Sequence, residues 1–473
     1  MELKVLGNTL DKEQTKAALE NECNNIIIAG AGSGKSLTMV GKIKYLVQNK
    51  NIPLENILCI TFTNAAALSL EKKIKKELKE DNKVYTFHKL ALEILKINHF
   101  KYQICDENLL SYLIEEILSS ISNTSYFTNY FKNKNYQTSK EFYLYKKNIE
   151  RFITLFLSNY HDLSIFDKLI KKAKKQDKPT LKIIKKLYEI YLLEKTSQGL
   201  IDFDDMIYYA TKIVKENGIL KPYQYIIIDE YQDTSKIREN LIIEIIKKNK
   251  SYITVVGDDF QSIYRFSGCD LSNFLDFTKN FKPAKKLYIR STYRNSKELI
   301  HVAGDFIMKN PRQIKKKLSS KKRIEKPIII CYYENKKKDF KRLINALNIE
   351  EFMILGRNNL DIYDYLTEVE IKEYNLTFNT IHKSKGLESE NILIINLEDK
   401  INSLPSGIKE TSILKYVLIH KDIYPYEEER RLFYVALTRT KNYCYLFVPK
   451  NNPSIFVTEL LKKYPQYIKI WNL

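Results

Sequence analysis

The chain of 473 residues has no apolar run approaching the roughly 18 residues that cross a bilayer as a helix, so a membrane-spanning helix is excluded. Met1-Glu-Leu-Lys-Val5 lacks the charged-then-apolar layout of a secretory signal, and a soluble, cytoplasmic protein is expected. The six cysteines (Cys23, Cys59, Cys105, Cys269, Cys331 and Cys444) are scattered, with no CxxC pair. Zinc sites and a disulfide framework are thereby disfavoured, and buried thiols are expected. No glycine occurs from Asn98 to Gln198. That stretch has apolar positions three and four apart, as at Leu109, Leu113, Ile114 and Ile117, and reads as an inserted helical subdomain. What the chain has in excess is positive charge: 78 Lys and Arg against 57 Asp and Glu, a net +21. Such a balance points to a polyanion, nucleic acid first, although a lysine-rich bias gives the same number. The length implies two to four domains.

Glycine, scarce elsewhere, clusters in Ala29-Gly-Ala-Gly-Ser-Gly-Lys-Ser36. The apolar Ile26-Ile27-Ile28 precedes it, and a helical pattern from Leu37 to Val47 follows. Strand, glycine-rich turn and helix form the context of a phosphate-binding loop. Backbone N–H groups from Ala29, Gly30, Ala31, Gly32, Ser33 and Gly34 can turn inward on a polyphosphate, aided by the positive end of the helix. Lys35 can reach the β- and γ-phosphates, and the Ser36 hydroxyl can hold Mg²⁺. Ala29 stands where the general pattern has glycine. Gln14, just ahead, carries a donor and an acceptor suited to an adenine edge, or is a surface residue starting a helix.

Further along, Ile57–Thr63 reads as a strand leading into a helix from Leu68 to Leu78, and Val84–His88 repeats the arrangement. Phe62 could stack on a base or belong to a core; His88 alone is more often a structural hydrogen-bonder. Tyr225-Ile-Ile-Ile-Asp-Glu230 is an apolar strand ending in paired carboxylates. Asp229 suits Mg²⁺ held through water, and Glu230 suits the orientation or deprotonation of an attacking water. About 190 residues separate this pair from the glycine loop, a gap the helical insertion accounts for. Tyr252–Gly257 is another buried strand, running into Asp258-Asp-Phe-Gln-Ser-Ile-Tyr-Arg-Phe-Ser-Gly268. There Gln261 suits sensing of a γ-phosphate, and Tyr264 and Phe266 suit base stacking. The basic run Lys315–Arg323 reads as a solvated loop, with a grip on duplex as the alternative.

The order of these segments resembles the UvrD/Rep-type superfamily 1A helicases. It is carried by Leu10–Gln14, Ala29–Ser36, Thr61–Ala67, Thr86–Leu90, Asp202–Asp205, Ile228–Ser235, Val255–Gly268, Thr292–Arg294, Thr380–Glu388 and Glu427–Thr440. The Ala-Gly-Ala-Gly-Ser-Gly-Lys loop is usual in that group. Gly257–Gly268 and Phe306–Pro311 are most similar to its helicase IV branch. The resemblance implies an α/β fold with two tandem RecA-like P-loop NTPase domains and ATP between them. It divides the chain at 1–97 and 200–289 for the first domain, 98–199 for the helical insertion and 290–473 for the second domain. It implies that Gln14, Lys35, Ser36, Asp229, Glu230 and Gln261 come from the first domain. From the second it implies Tyr293 on the adenine, Glu388 near the ribose, and Arg294 and Arg439 as arginine fingers. Phe62, Tyr264 and Phe266 would hold bases, with Thr63, His88 and His382 in DNA-facing or coupling motifs. The partners so implied are single-stranded DNA and its junctions with duplex, and a monomer is expected.

In UvrD and Rep a large accessory domain, 2B, lies between a strand like Phe352–Arg357 and the motif at Thr380; here about 20 residues lie between, so no such domain is expected. An amino-terminal extension and a trailing nuclease domain are likewise not expected. The functional expectation is an ATP-dependent 3′–5′ translocase and helicase of DNA repair, replication or recombination. An ATPase that remodels a protein partner such as RNA polymerase is the alternative, and the chain lacks the arm-length heptad run such relatives carry. A third reading, nucleotide binding without turnover, conflicts with the filled charged positions of the cleft.

Overall fold

Short runs of isoleucine, valine and leucine, apolar on both faces, call for parallel strands covered by helices on each side. The computed structural model describes residues 2–121, 131, 138–347, 349–408, 410–418 and 423–472, and these form two such sheets. The first contains β1 (Asn24–Ala29), β2 (Ile57–Thr61), β3 (Val84–Thr86), β4 (Tyr225–Ile228), β5 (Tyr252–Gly257) and β6 (Ala284–Ile289). Their spatial order is β6-β1-β5-β4-β2-β3, parallel throughout. In register, Ile26 faces Val255 and Ile227 faces Thr254. The carboxyl ends of β1, β4 and β5 therefore emerge along one edge, where loops of an α/β sheet carry ligands.

The second sheet contains β7 (Ile328–Tyr333), β8 (Phe352–Gly356), β9 (Phe378–Thr380), β10 (Asn391–Ile394), β11 (Cys444–Pro449) and β12 (Ile468–Asn472). Its order is β9-β8-β10-β11-β7-β12, again parallel. Helix Glu427–Leu437 is buried against it and meets the first lobe through Phe260, edge-on to Tyr434 with ring centroids 5.2 Å apart. The fold is thus tandem RecA-like α/β domains with a helical insertion. Between β8 and β9 the chain makes only a short turn and the six-residue helix Glu368–Glu373.

The insertion is built from helices Leu109–Ser120, Lys140–Asn159, Ser164–Lys172 and Lys178–Gln198. The first glycine after the glycine-free stretch, Gly199, ends the last of them at φ +65°, where a side chain would be strained. Phe152, Phe156, Phe166 and Tyr188 fill its core. A buried ion cluster ties it to the first lobe: Lys195 Nζ lies 2.5 Å from Asp202 and 2.6 Å from Asp205, and His161 lies 2.7 Å from Asp205. All six cysteines are free and buried.

Three local outcomes differ from the sequence expectation. The helix after β2 begins at Asn64, not Leu68, because the Thr63 hydroxyl accepts the Ala66 N–H and caps it. His88 sits on a helix starting at Phe87, because Thr86 caps that helix in the same way. The basic run is not simply solvated. Lys315 and Lys317 are exposed, but Lys316 between them points inward between Asp258 and Asp259, 2.5 Å from each.

Candidate nucleotide site and strand-facing cluster

The glycine loop joins β1 to helix Lys35–Lys50. Gly32 (φ +68°) and Gly34 (φ +77°) adopt the left-handed backbone that side chains resist, and a Cβ on Gly34 would stand 2.6 Å from Gln14 Nε2. That amide is built into the loop: Nε2 donates to the Ser33 carbonyl at 2.9 Å, while Oε1 accepts the Asp11 N–H at 3.0 Å. Ser33 Oγ is buried with no hydrogen-bond partner among the described residues.

The carboxylates at the end of β4 stand opposite the loop. Lys35 Nζ lies 2.7 Å from Glu230 Oε1, and Gln232 Nε2 donates to Glu230 Oε2 at 2.6 Å. Glu230 itself has φ +49°. Burial opposes its charge, but Lys35 and Lys385 outweigh it and hold the carboxyl below the usual range. Asp229 moves the other way, pushed up to about 6 by burial and by the charge of Glu230. Paired acids driven apart by their surroundings suit different tasks.

The second lobe supplies the facing wall. Arg294 Nε donates to Glu388 at 2.8 Å, and its Nη1 to the Thr438 carbonyl at 3.2 Å. Arg439 is 1% exposed and donates to Val435 O at 3.0 Å, Leu387 O at 3.3 Å and Gln261 Oε1 at 3.0 Å. Burial and the Arg294 charge bring its basicity down to about 10. The Gln261 amide nitrogen donates to Asp258 at 2.6 Å, so one side chain links the end of β5 to the second lobe. A cavity of about 450 Å³ lies between the lobes and is lined by Lys35, Ser36, Asp229, Glu230, Gln261, Arg294 and Arg439. A neighbouring cavity of about 320 Å³ is lined by Gly32, Tyr293, Arg294 and Glu388. Tyr293 is exposed there and donates to Asp11 at 2.7 Å.

Phe62 and Tyr264 also border the larger cavity. Their rings stack at 5.5 Å and 16°, and the Arg238 guanidinium lies 5.2 Å from the Phe62 centroid. Phe266, 44% exposed, meets His382 edge-on at 5.3 Å, and the Tyr264 hydroxyl donates to the His382 carbonyl at 3.1 Å. The four rings join the two lobes. His88 is set apart from them, edge-on to Phe203 at 5.5 Å. Burial and a nearby cation (Arg238 for His88, Arg357 for His382) lower both histidines to about 4, so both are neutral at physiological pH.

Residues 10–282, which begin ahead of the glycine loop and run past β5, match the UvrD/REP helicase N-terminal domain. The chain belongs to the UvrD/Rep helicase family. It is similar to DNA helicase IV of Escherichia coli K12, with 26% identity covering 97% of this chain and 71% of that protein. It is similar to a probable DNA helicase II homolog of Mycoplasma capricolum, with 27% identity over 76% of this chain and 49% of that one. To the ATP-dependent DNA helicase PcrA of Staphylococcus aureus it is 29% identical over 65% of this chain and 41% of that protein. The chain therefore spans about half or less of the last two.

The sequence reading of this UvrD/Rep-family chain passed over several residues of the site. Lys385 is the foremost. Its ammonium bonds Asp233 and the Gln261 carbonyl (2.7 Å) and lies 5.0 Å from the centre of the Tyr264 ring. It touches the carboxylate side, the Gln261 bridge and the aromatic cluster together. The signal was present, since Lys385 lies within Thr380–Glu388, but nothing in the spacing marked one lysine of that segment over its neighbour Lys383. Asp233, fully buried and pushed up to about 6 by burial, was missed likewise.

Proposed function

We propose that the chain is an ATP-dependent DNA translocase and helicase that couples hydrolysis to movement along single-stranded DNA and to duplex unwinding. The observation that carries this is one shared cavity. The Lys35–Glu230 pair, two arginines of the other lobe and the Phe62–Tyr264 stack all border it, so a closing motion that serves hydrolysis also moves the aromatic rings. The loop suits a polyphosphate by its own chemistry: left-handed glycines, a buried Ser33 hydroxyl without a partner among the described residues, and a lysine aimed into the cleft. Gly30–Ser36 would hold the phosphates of ATP, Ser36 and Asp229 the Mg²⁺, and Tyr293 and Glu388 the nucleoside, with Gln14 shaping the loop. Bound Mg²⁺ would supply neutralisation of phosphate charge. Glu230, held ionised, orients water and accepts its proton. Arg294 and Arg439 bring positive charge to the γ-phosphate only when the lobes close, with Gln261 reporting that closure to Asp258. Phe62, Tyr264 and Phe266 hold bases, His382 and Lys385 tie those rings to the second lobe, and Thr63 and His88 lie in DNA-facing or coupling segments, Thr63 also capping the helix that starts at Asn64. The family resemblance supports 3′–5′ movement and a role in DNA repair, replication or recombination, as well as the domain limits at residues 98, 199 and 290.

The test is ATPase activity with and without single-stranded DNA, followed by strand displacement on 3′- and 5′-tailed duplexes. Stimulation by DNA and preference for the 3′ tail are expected. Full activity in Lys35→Ala or Glu230→Gln, or no response to DNA, would refute the reading. Strand binding should also weaken steeply with salt.

A further inference from the structure

One segment of the second lobe does not pack on its own sheet. Residues 410–418 lie between β10 and helix Glu427–Leu437, yet Ile413, Leu414, Val417 and Leu418 belong to the hydrophobic core of the helical insertion. Leu414 and Val417 are fully buried there. Beside them Asp177, 6% exposed at the start of helix Lys178–Gln198, accepts three donors from the segment. These are Ser412 Oγ at 3.1 Å, Lys415 Nζ at 2.8 Å and Tyr416 Oη at 2.8 Å. The Tyr416 oxygen in turn accepts the Lys174 N–H at 3.0 Å. Burial opposes the Asp177 charge, but the three donors hold its carboxyl below the usual range.

The near end of the segment reaches the strand-facing cluster. Glu410 lies 3.5 Å from Arg151 of the insertion and 3.2 Å from Arg265 of the first lobe. Arg265 precedes Phe266 and pairs with Glu428 on the second-lobe helix at 3.1 Å. The insertion leaves the first lobe near residue 98 and returns at Gly199, so this contact ties three bodies into a loop. It does so in a chain with no room for the accessory domain between Arg357 and Thr380. The helix that follows it leads, at its far end, to Arg439.

We propose that Glu410–Leu418 is a clasp by which the second lobe locks onto the helical insertion, retaining a single strand on the Phe266–His382 face while the cleft opens and closes. The clasp rests on the reading of this chain as a strand translocase. An apolar plug gives it strength, and a carboxylate with three donors gives it register. Its function is retention, so it affects departure from the strand and not the rate of hydrolysis.

The experiment uses the full chain, with Asp177→Asn/Tyr416→Phe as the first variant and Ser412→Ala/Tyr416→Phe as a second that keeps the carboxylate. Clasp opening is read without DNA from the rate of trypsin cleavage at Lys415. Retention is read from dissociation off a long single strand during ATP turnover with a trap present. Hydrolysis is read as kcat at saturating strand. Faster cleavage at Lys415, dissociation about tenfold faster, and kcat within about twofold of wild type are expected, since interface changes act mainly on the off-rate. Unchanged cleavage in both variants would show that Asp177 does not hold the segment. Faster cleavage with unchanged dissociation would show that the clasp does not retain the strand. Either overturns the proposal. A wild type whose ATPase ignores DNA would overturn the translocase reading first, and the retention role with it.

Discussion

Arg439→Lys separates the catalytic demand on this residue from its structural one. Arg439 makes hydrogen bonds to Val435 O, Leu387 O and Gln261 Oε1. Val435 O also accepts the Thr438 hydroxyl at 3.2 Å and is not orphaned by the change. Lysine keeps the charge but puts a single nitrogen where the planar fork reaches Leu387 O from Nη1 and Gln261 Oε1 from Nη2, so one of the two contacts should be lost. One buried acceptor is then left unmet, at about 1–3 kcal/mol. Each kilocalorie shifts melting of a 150–250-residue domain by roughly 2–4 °C, so the second lobe should melt about 2–12 °C lower and stay folded at 25 °C. Catalysis should suffer far more, because an arginine finger carries about 10³–10⁵ in kcat. The assay is kcat for ATP at saturating single-stranded DNA, beside a melting curve and nucleotide affinity. A folded variant with near wild-type kcat would refute the finger assignment. It would leave Arg439 as a strut between Gln261 and the Leu387 turn.

Gly34→Ala should weaken binding of an ATP analogue markedly with little change in strand affinity, because its Cβ would strike Gln14 Nε2 at φ +77°; titration with a fluorescent analogue checks it. Lys316→Met should cost about 3–5 kcal/mol in urea unfolding, since it leaves Asp258 and Asp259 facing each other without their buried cation. A cost no larger than that of Lys315→Met would refute the structural role given to Lys316. The share of stability held by His88 and His382 should fall as pH drops from about 6.5 toward 4, because the unfolded chain takes up protons that the folded histidines, lowered to about 4, refuse, while Asp229 and Asp233, raised to about 6, act in the opposite sense over the same window. On acidification across that window, urea midpoints of His88→Gln should therefore fall less, or rise more, than those of the wild type.

Much of the fold and the nucleotide half of the site was legible because local chemistry dictates both. Isoleucine-rich runs of strand length, broken by glycine or acids, suit strands buried on both faces. A lysine and serine after left-handed glycines have little use except on phosphate. The strand-facing half was less legible. Phe62 and Tyr264 stack across about 200 residues of sequence, which no periodicity records. Lys316 and Lys317 are indistinguishable in a string of lysines, and only the folded chain sends one to Asp258 and the other to solvent. In sequence Asp177 is one acid among lysines at a helix start. Its meaning depends on Ser412, Lys415 and Tyr416, which fold brings to it from the other lobe.

These long-range ties share a design that bears on mechanism. Gln261 is held by Asp258 on one side and Arg439 on the other, while its carbonyl accepts Lys385. Lys385 in turn contacts Asp233 and the face of Tyr264. A displacement of Arg439 toward a γ-phosphate must therefore break or carry the Gln261 contact, and anything that moves Gln261 moves the cation lying on Tyr264. On the proposed function the coupling needs no long pathway, because only Gln261 and Lys385 stand between Arg439 and the ring of Tyr264. Gln261→Ala should accordingly keep both nucleotide and strand binding while uncoupling them. ATP should bind with the same affinity whether or not DNA is present, where the wild-type chain should show a several-fold difference. Coupling is reciprocal, so strand affinity should become insensitive to nucleotide by the same factor. Reciprocal coupling that survives Gln261→Ala would place the connection elsewhere in the cleft.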